Sequence, residues 1–547
     1  MIVIDWLVQT MRRRSLDRAK AQEHVRDTAE SSFRQIMGNH DAFVAHMERI
    51  KEPSILIGTA KDAVGSEVPV RIGTQEIHAH WLITGGTGSG KTSFVTGVFS
   101  RAVEHGYPVG VVDCKSGFFD SAIRWAAALA YRMEPARREA FIRSMAVVNP
   151  FTQGLVPLNV CCPIPGTSPE VQAYNVCLSF SRLFSSDLGF QMENLLRHLL
   201  LLLMEARLSL VEAPDVLQDD LFRDILVQRS TNPAVKSFFW RAYPTVPQGS
   251  KSALLSRIQS LLLPENLKLM LGADDLIDFK AILDKGNPLF MFLGKGPGVP
   301  EEQVDLIGSL LLQLLFQGAY SAVSGKRRPY QIILDEFFHL LDAPALEKRF
   351  DTALTTLRSF GVTLSLVMHN FSQVPGSLRD SILNNCDFMA IFRTYARNAQ
   401  YFGDFLPELD PEIVVESLRK TGQLPAKHEM RVQLTERLQR LPDRHCYWYD
   451  KRKPYRGLLV RVPELSTPHR AAGLSEKALE DFMNDHDILL GGYAVPKETL
   501  RTQIEARKKR LREIVRPPIH VAPLDQESAV EEKSNSDSTQ KKRPKLG

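Results

Sequence analysis

The sequence predicts an α/β protein with a mostly parallel sheet, helices on both of its faces, and an inserted all-helical domain. Three observations predict it. Short apolar runs recur along the chain and alternate with stretches of helical periodicity, as buried parallel strands and their crossover helices do. A glycine-rich turn joins one such run to an amphipathic helix. Between residues 168 and 283 the pattern becomes leucine-rich at helical spacing alone, as in QMENLLRHLLLLLMEARL, VLQDDLFRDILVQ and ALLSRIQSLLL.

In chain order, residues 16–50 are polar and charged with apolar Phe33, Ile36, Phe43, Val44 and Met47, which reads as an amphipathic helix ended by Pro53. ILIGTA (55–60), VPVRIG (68–73) and IHAHWLIT (77–84) read as short strands. Phe94, Val95, Val98, Phe99, Ala102 and Val103 then share one helical face, and Gly106 supplies the stop. VGVV (109–112) and MAVV (145–148) read as buried strands before the helical block. After it come PLFMFLG (288–294), a helix over 303–323, and the runs QIILDE (331–336), TLSLVM (363–368) and DFMAIF (387–392). CYWYDKRKPYRGLLVRV (446–462) reads as a hairpin, and a charged helix follows over 497–514. The domain division expected is an N-terminal helical region (1–52), a core in two pieces (53–165 and 285–465), a helical insertion (166–284), a helical extension (466–516) and a disordered tail (517–547).

The bulk composition excludes several classes. A net charge of +5 over 547 residues does not mark a nucleic-acid binder, so any such contact must come from local clusters: Arg12–Arg14, Arg507–Arg510 or Lys541–Arg543. Taken singly, each cluster reads more readily as a solvated face. The six cysteines form no CxxC pair and no zinc spacing, which suits reduced thiols in a cytoplasmic protein. No transmembrane helix is expected, because the richest apolar run, Leu195 to Met204, is short and interrupted by Arg197 and His198. The N-terminus places its apolar stretch before its basic residues, the reverse of a signal peptide.

The chemistry gathers in two motifs. GGTGSGKT fits the phosphate-loop pattern, with Gly85, Gly86, Thr87, Gly88, Ser89, Gly90, Lys91, Thr92 and Ser93 as the nucleotide-binding set. Glycines let the backbone curl its N–H groups toward phosphates, Lys91 reaches the β/γ-phosphates, and the Thr92 hydroxyl binds Mg²⁺. An apolar strand before the loop and an amphipathic helix after it give the context that the motif requires. In QIILDE, three apolar residues lead to Asp335 and Glu336. A carboxylate at the end of a neighbouring strand suits the Mg²⁺ shell, and a second one suits activation of a water. The cofactors expected are therefore ATP and Mg²⁺. Five further residues are candidates, four of them with open alternatives. His369, at the end of TLSLVM, is a γ-phosphate sensor or a loop histidine. Arg358 is an arginine finger toward a neighbouring subunit or a solvated helix residue. Asp113 and Lys115 face the nucleotide or form a loop ion pair. Arg393 approaches phosphates from the end of DFMAIF.

ITGGTGSGKTSF, VVDCKSG, IILDEF, RSFGVTLSLVMHN and ILNNCDFMAIFR occur in the order seen in the FtsK–HerA class of DNA pumps, and the chain most resembles the branch of type IV secretion coupling proteins and conjugative-transfer ATPases. PAVKSFFWRAY and ALLSRIQSLLLPENLKLMLG are similar to phrases of that family's helical domain. The resemblance covers roughly Pro53 to Pro463. It implies a RecA-like P-loop ATPase core, a homo-hexameric ring with ATP between subunits, and DNA, single- or double-stranded, through the centre. It implies Lys91 and Thr92 on phosphate and Mg²⁺, Asp335 on Mg²⁺, Glu336 as catalytic base and Arg358 as the arginine acting in trans. Relaxosome or secretion-channel proteins are the implied partners, at a cytoplasmic or membrane-peripheral location. The chain departs from the pattern in three places: His369 stands where relatives usually carry Gln, CKSG stands where many have PKG, and the usual membrane-spanning helices are not seen. Two other readings stay open, an ATPase energising protein export or machine assembly, and an ATP-binding regulatory module without turnover.

Overall fold

The computed structural model describes residues 54–61, 66–115, 117–183, 189–296, 300–321, 327–337, 344–405, 427–452 and 457–515, with 31, 34, 38, 41, 42 and 44–50 before them. The expected 517–547 tail and the basic clusters at 12–14 and 541–543 lie outside the described residues, as does most of the expected N-terminal helix.

Among the described residues there are thirteen strands: β1 (Ile55–Lys61), β2 (Glu67–Ile72), β3 (Trp81–Thr84), β4 (Val109–Asp113), β5 (Ala146–Val148), β6 (Gly154–Leu155), β7 (Leu289–Phe292), β8 (Tyr330–Asp335), β9 (Val362–Met368), β10 (Phe388–Phe392), β11 (His445–Asp450), β12 (Gly457–Arg461) and β13 (Val495–Pro496). Eleven of them form one sheet in the order β2-β1-β12-β11-β10-β3-β9-β8-β4-β7-β5. The run from β10 to β5 is parallel throughout, and β11, β12, β1 and β2 extend it with antiparallel pairs. Every residue of β4, β9 and β10 is buried, because helices cover both faces; this is why these segments read as unbroken apolar runs. Alternate residues serve opposite faces. Trp81 and Ile83 pack with the helices Lys91–Glu104 and Phe118–Tyr131, while Leu82, Ile332 and Leu334 pack toward the insertion.

Two strand expectations are corrected. The run 77–84 is a strand only from Trp81; Thr74–Ile77 is a short helix, and the buried His80 accepts the N–H of Leu364 at 2.9 Å before the strand begins. β8 is not the direct neighbour of β3, since β9 lies between them and pairs with both.

The insertion is helical from Pro169–Leu183 to Phe279–Lys285, apart from an isolated bridge between Leu158 and Leu276. The C-terminal residues span both parts. The helix Glu476–Asp485 packs on Phe118–Tyr131, β13 pairs with β6, and the helix Lys497–Val515 packs on Glu265–Leu271 of the insertion. Arg507, read from sequence as part of a basic surface cluster, is instead buried. Its guanidinium donates to Glu212 Oε1 (3.1 Å), Ser209 Oγ (2.9 Å) and the carbonyl of Gly272 (2.6 Å), and it also pairs with Asp274. Glu212 is wholly buried, so its charge needs this partner. Among the described residues no helix is long and apolar enough to cross a membrane.

Candidate active site

The parallel register brings the ends of four strands to one line. Thr84 pairs with Met368, Val367 with Asp335, and Asp335 with Asp113. The phosphate loop, Asp335–Glu336, His369 and the Asp113 turn therefore share the carboxyl edge of the sheet, where open α/β sheets bind ligands.

The loop residues 85–90 pass into the helix Lys91–Glu104. Two glycines are required by geometry. Gly85 has φ +156°, and a Cβ there would lie 2.5 Å from Cβ of Phe392; Gly90 has φ +107°, and a Cβ there would lie 2.9 Å from Cα of Arg444. The loop is backed from outside by segments that sequence reasoning did not assign to it. The N–H of Gly86 donates to the carbonyl of Arg393 (2.7 Å), and the N–H of Arg444 donates to the carbonyl of Ser89 (2.8 Å). Arg393 thus supports the loop through its backbone. Its side chain pairs with Asp443 at 2.7 Å, so the expected approach to phosphates is corrected. Nothing in the sequence marks Arg444, which follows a helix some 350 residues beyond the loop and holds a left-handed φ of 61°. Thr87, Gly88 and Thr92 are exposed and Ser93 half-buried, so the loop crest and the Thr92 hydroxyl are open to a ligand.

Lys91 is buried, and its ammonium donates to the carbonyls of Gly85 (2.6 Å) and Gly86 (3.0 Å) and to Nδ1 of His369 (2.8 Å). A protonated Lys91 makes Nδ1 the acceptor, which leaves the imidazole proton on Nε2. Nε2 then faces Glu336 Oε1 at 3.3 Å, and the His369 amide donates to the same oxygen at 2.9 Å. His369 is therefore a bridge between Lys91 and Glu336. Burial, helped by the Lys91 and Lys115 charges, lowers its pKa to about 4, so the ring is neutral near pH 7. Burial likewise lowers Lys91 to about 8, against the pull of Glu336 and Asp335.

Glu336 is buried and sits at φ 53°, a left-handed turn that ends β8 and aims its carboxylate back toward β9. Its N–H still pairs with the carbonyl of Val367 (3.0 Å), and the next residue, Phe337, stacks on Phe350 at 4.4 Å. Burial raises the Glu336 carboxyl. Burial, then the Asp113 and Glu336 charges, raises Asp335 to about 7. A buried carboxyl held up in this way is one that a divalent cation would ionise, so Asp335 and the exposed Thr92 hydroxyl fit an Mg²⁺ site. Asp113 is committed elsewhere: its two oxygens accept the N–H groups of Lys115 and Phe119, each at 2.8 Å, and so cap the helix Phe118–Tyr131. Of the two alternatives for Asp113 and Lys115, the side-chain ion pair is not formed.

Arg358 lies before β9, at the opposite edge of the sheet, where Nη1 donates to Asp387 Oδ2 at 2.9 Å. It is remote from the phosphate loop of its own chain and half-exposed.

No family model matches the chain, and no curated protein matches it in sequence. Solved structures are similar to it in fold. The unbound bacterial conjugative coupling protein TrwB aligns with a TM-score of 0.49 and 14% identity, over 78% of this chain and 92% of that one. The plasmid coupling protein TrwB in complex with ADP and Mg²⁺ gives 0.47 and 15%, over 79% and 94%. VirB4 of Thermoanaerobacter pseudethanolicus gives 0.44 and 13%, over 77% and 98%.

Proposed function

We propose that the chain is a P-loop ATPase of the FtsK–HerA kind, a coupling-protein-like motor that hydrolyses ATP between the subunits of a ring and moves DNA. The observation that carries the ATPase part is the Lys91–His369–Glu336 bridge beside Asp335. It sets a phosphate-binding cation and a buried carboxylate on either side of β9. Strands two places apart are separated by about 10 Å, which leaves room for a γ-phosphate and an in-line water. A nucleotide switch without turnover has no need of a second carboxylate held at this point.

Each residue then has a task. The loop N–H groups cradle the phosphates, and Lys91 exchanges its contacts with its own loop carbonyls for phosphate oxygens. Glu336, its Oε1 fixed by the His369 amide, orients the attacking water and takes its proton. His369, released by Lys91 when phosphate arrives, keeps Nε2–H for Glu336 or for the γ-phosphate, the work assigned to Gln in the family the motifs resemble. Mg²⁺ held by Thr92 and Asp335 would supply charge neutralisation on the β- and γ-oxygens. Arg358, at the far edge, serves only a neighbouring subunit's nucleotide. The DNA and hexamer parts rest on the motif order and on the helical insertion between the second and third motifs.

The test is steady-state ATP hydrolysis without DNA, with single-stranded DNA and with duplex DNA, at low and moderate salt, since phosphate contacts weaken as salt rises. Stimulation by either DNA form supports a motor and identifies its track. Robust hydrolysis that ignores DNA would replace the motor with an ATPase serving protein export, and absent hydrolysis would replace it with a nucleotide-binding module.

A further inference from the structure

Lys115 has no role in the site as described so far, and its setting is unusual. It follows β4, the strand beside the one that carries Asp335 and Glu336. Its N–H donates to Asp113 Oδ1 (2.8 Å), and its carbonyl oxygen lies where a Cβ on Gly294 would come within 2.5 Å. The neighbouring Cys114 N–H donates to the carbonyl of Asp335 (3.1 Å), which ties this turn to the acidic one. Lys115 is exposed, and no carboxylate among the described residues pairs with its ammonium. Other cations that follow the ends of these strands are paired: Lys295 with Glu301, and Arg393 with Asp443.

The charge of Lys115 is nonetheless felt throughout the site. Its ammonium lies close enough to act by charge on Asp335, Glu336, Lys91 and His369. An arriving Mg²⁺–triphosphate brings negative charge to an edge that already gathers three carboxyl groups, those of Asp113, Asp335 and Glu336. A cation kept free of protein carboxylates at that edge is suited to a phosphate oxygen.

We propose that Lys115 is a second phosphate-binding cation, contacting the γ-phosphate from the β4 side while Lys91 holds it from the β3 side. The proposal rests on the ATPase reading above. Lys115 then reports which nucleotide is present, because ADP leaves it without its ligand.

The experiment measures dissociation constants, with Mg²⁺, for ADP and for a non-hydrolysable ATP analogue with an imido β–γ bridge. The full-length wild type, Lys115→Met and Lys115→Arg are compared. Wild type and Lys115→Arg are expected to prefer the analogue. Lys115→Met should lose about tenfold to a hundredfold of that preference, the ordinary worth of a charge-assisted hydrogen bond, with ADP affinity nearly unchanged. An unchanged preference in Lys115→Met overturns the proposal, as does equal weakening for both nucleotides, which would mean that Lys115 only shapes its loop. A wild type that binds neither nucleotide overturns the ATPase reading itself; one that binds both, with Lys115→Met unaltered, overturns this proposal alone.

Discussion

Replacing Glu336 with Gln isolates the chemical step from the binding step. In the folded chain, Oε1 of Glu336 accepts the His369 amide at 2.9 Å and faces Nε2 at 3.3 Å. Gln keeps an oxygen for that amide, adds no bulk, and adopts the same left-handed turn. It also removes a charge whose buried carboxyl was already raised, so the fold is expected to melt at an unchanged temperature. What is lost is the ability to take a proton from water. General-base help is worth about 10²- to 10⁴-fold, which corresponds to about 2.7–5.5 kcal/mol of transition-state stabilisation. The assay pairs equilibrium binding of Mg²⁺–ATP with steady-state phosphate release. Binding should be retained or tightened while turnover falls by at least about a hundredfold. Turnover within about threefold of wild type, or below 1 kcal/mol of barrier, would refute the assignment of Glu336 as base. Loss of binding together with turnover would instead show that the carboxylate holds the phosphate loop in shape.

Three further outcomes follow from the same geometry. His369→Gln retains an acceptor for Lys91 and a donor for Glu336, so its turnover should stay near wild type, whereas His369→Ala leaves Glu336 without its side-chain partner and should be much slower; equal rates for the two variants would dismiss the bridge. Asp335 is held up to about 7, so protons compete with Mg²⁺ below that pH. The apparent Mg²⁺ affinity should weaken as pH falls from 8 to 6, approaching tenfold per unit below the pKa, and Asp335→Asn should abolish this slope. Arg507→Met strands the buried Glu212 and should destabilise the junction of insertion and C-terminal helix by about 3–5 kcal/mol. Thermal melting together with limited proteolysis of the last helix would detect that loss, and Arg507→Met combined with Glu212→Gln should recover much of it.

The local motifs were legible because they are local. The phosphate loop depends on glycine torsions and on a lysine six residues after the first glycine, and both sit in one continuous stretch. The apolar runs of β4, β8, β9 and β10 read as strands because both of their faces are covered. The pairing order was not legible. Nothing in the sequence places β9 between β3 and β8, although that insertion makes His369 the neighbour of Lys91 across 278 residues. Arg444 was invisible for a similar reason, since it acts through its backbone, which carries no side-chain signature. Arg507 misled because a basic run on a charged helix normally faces water. Its partners, Glu212 and Asp274, are more than 200 residues away.

The position of the insertion bears on how ATP chemistry would become motion. The insertion leaves the core after β6 and returns at β7, which pairs with β4, the strand that ends at Asp113 and leads to Lys115. A second route is shorter. Phe337, directly after Glu336, stacks on Phe350 of the helix Pro344–Thr356, and the adjacent Arg349 donates to Asn175 of the insertion at 2.7 Å. Helix Glu301–Tyr320 adds further ties to the segments on the insertion side, through Gln313 to Ser179 (2.8 Å) and Gln317 to Thr167 (2.6 Å). Through these contacts a shift of the Glu336 turn would reach the insertion. The Arg507 clasp closes the far side of the insertion against the C-terminal helix, and the helix Glu476–Asp485 holds that extension to the core. The insertion is thus tied to the core through Asn175, Ser179 and Thr167 on the side that follows Glu336, and to the C-terminal helix through Arg507.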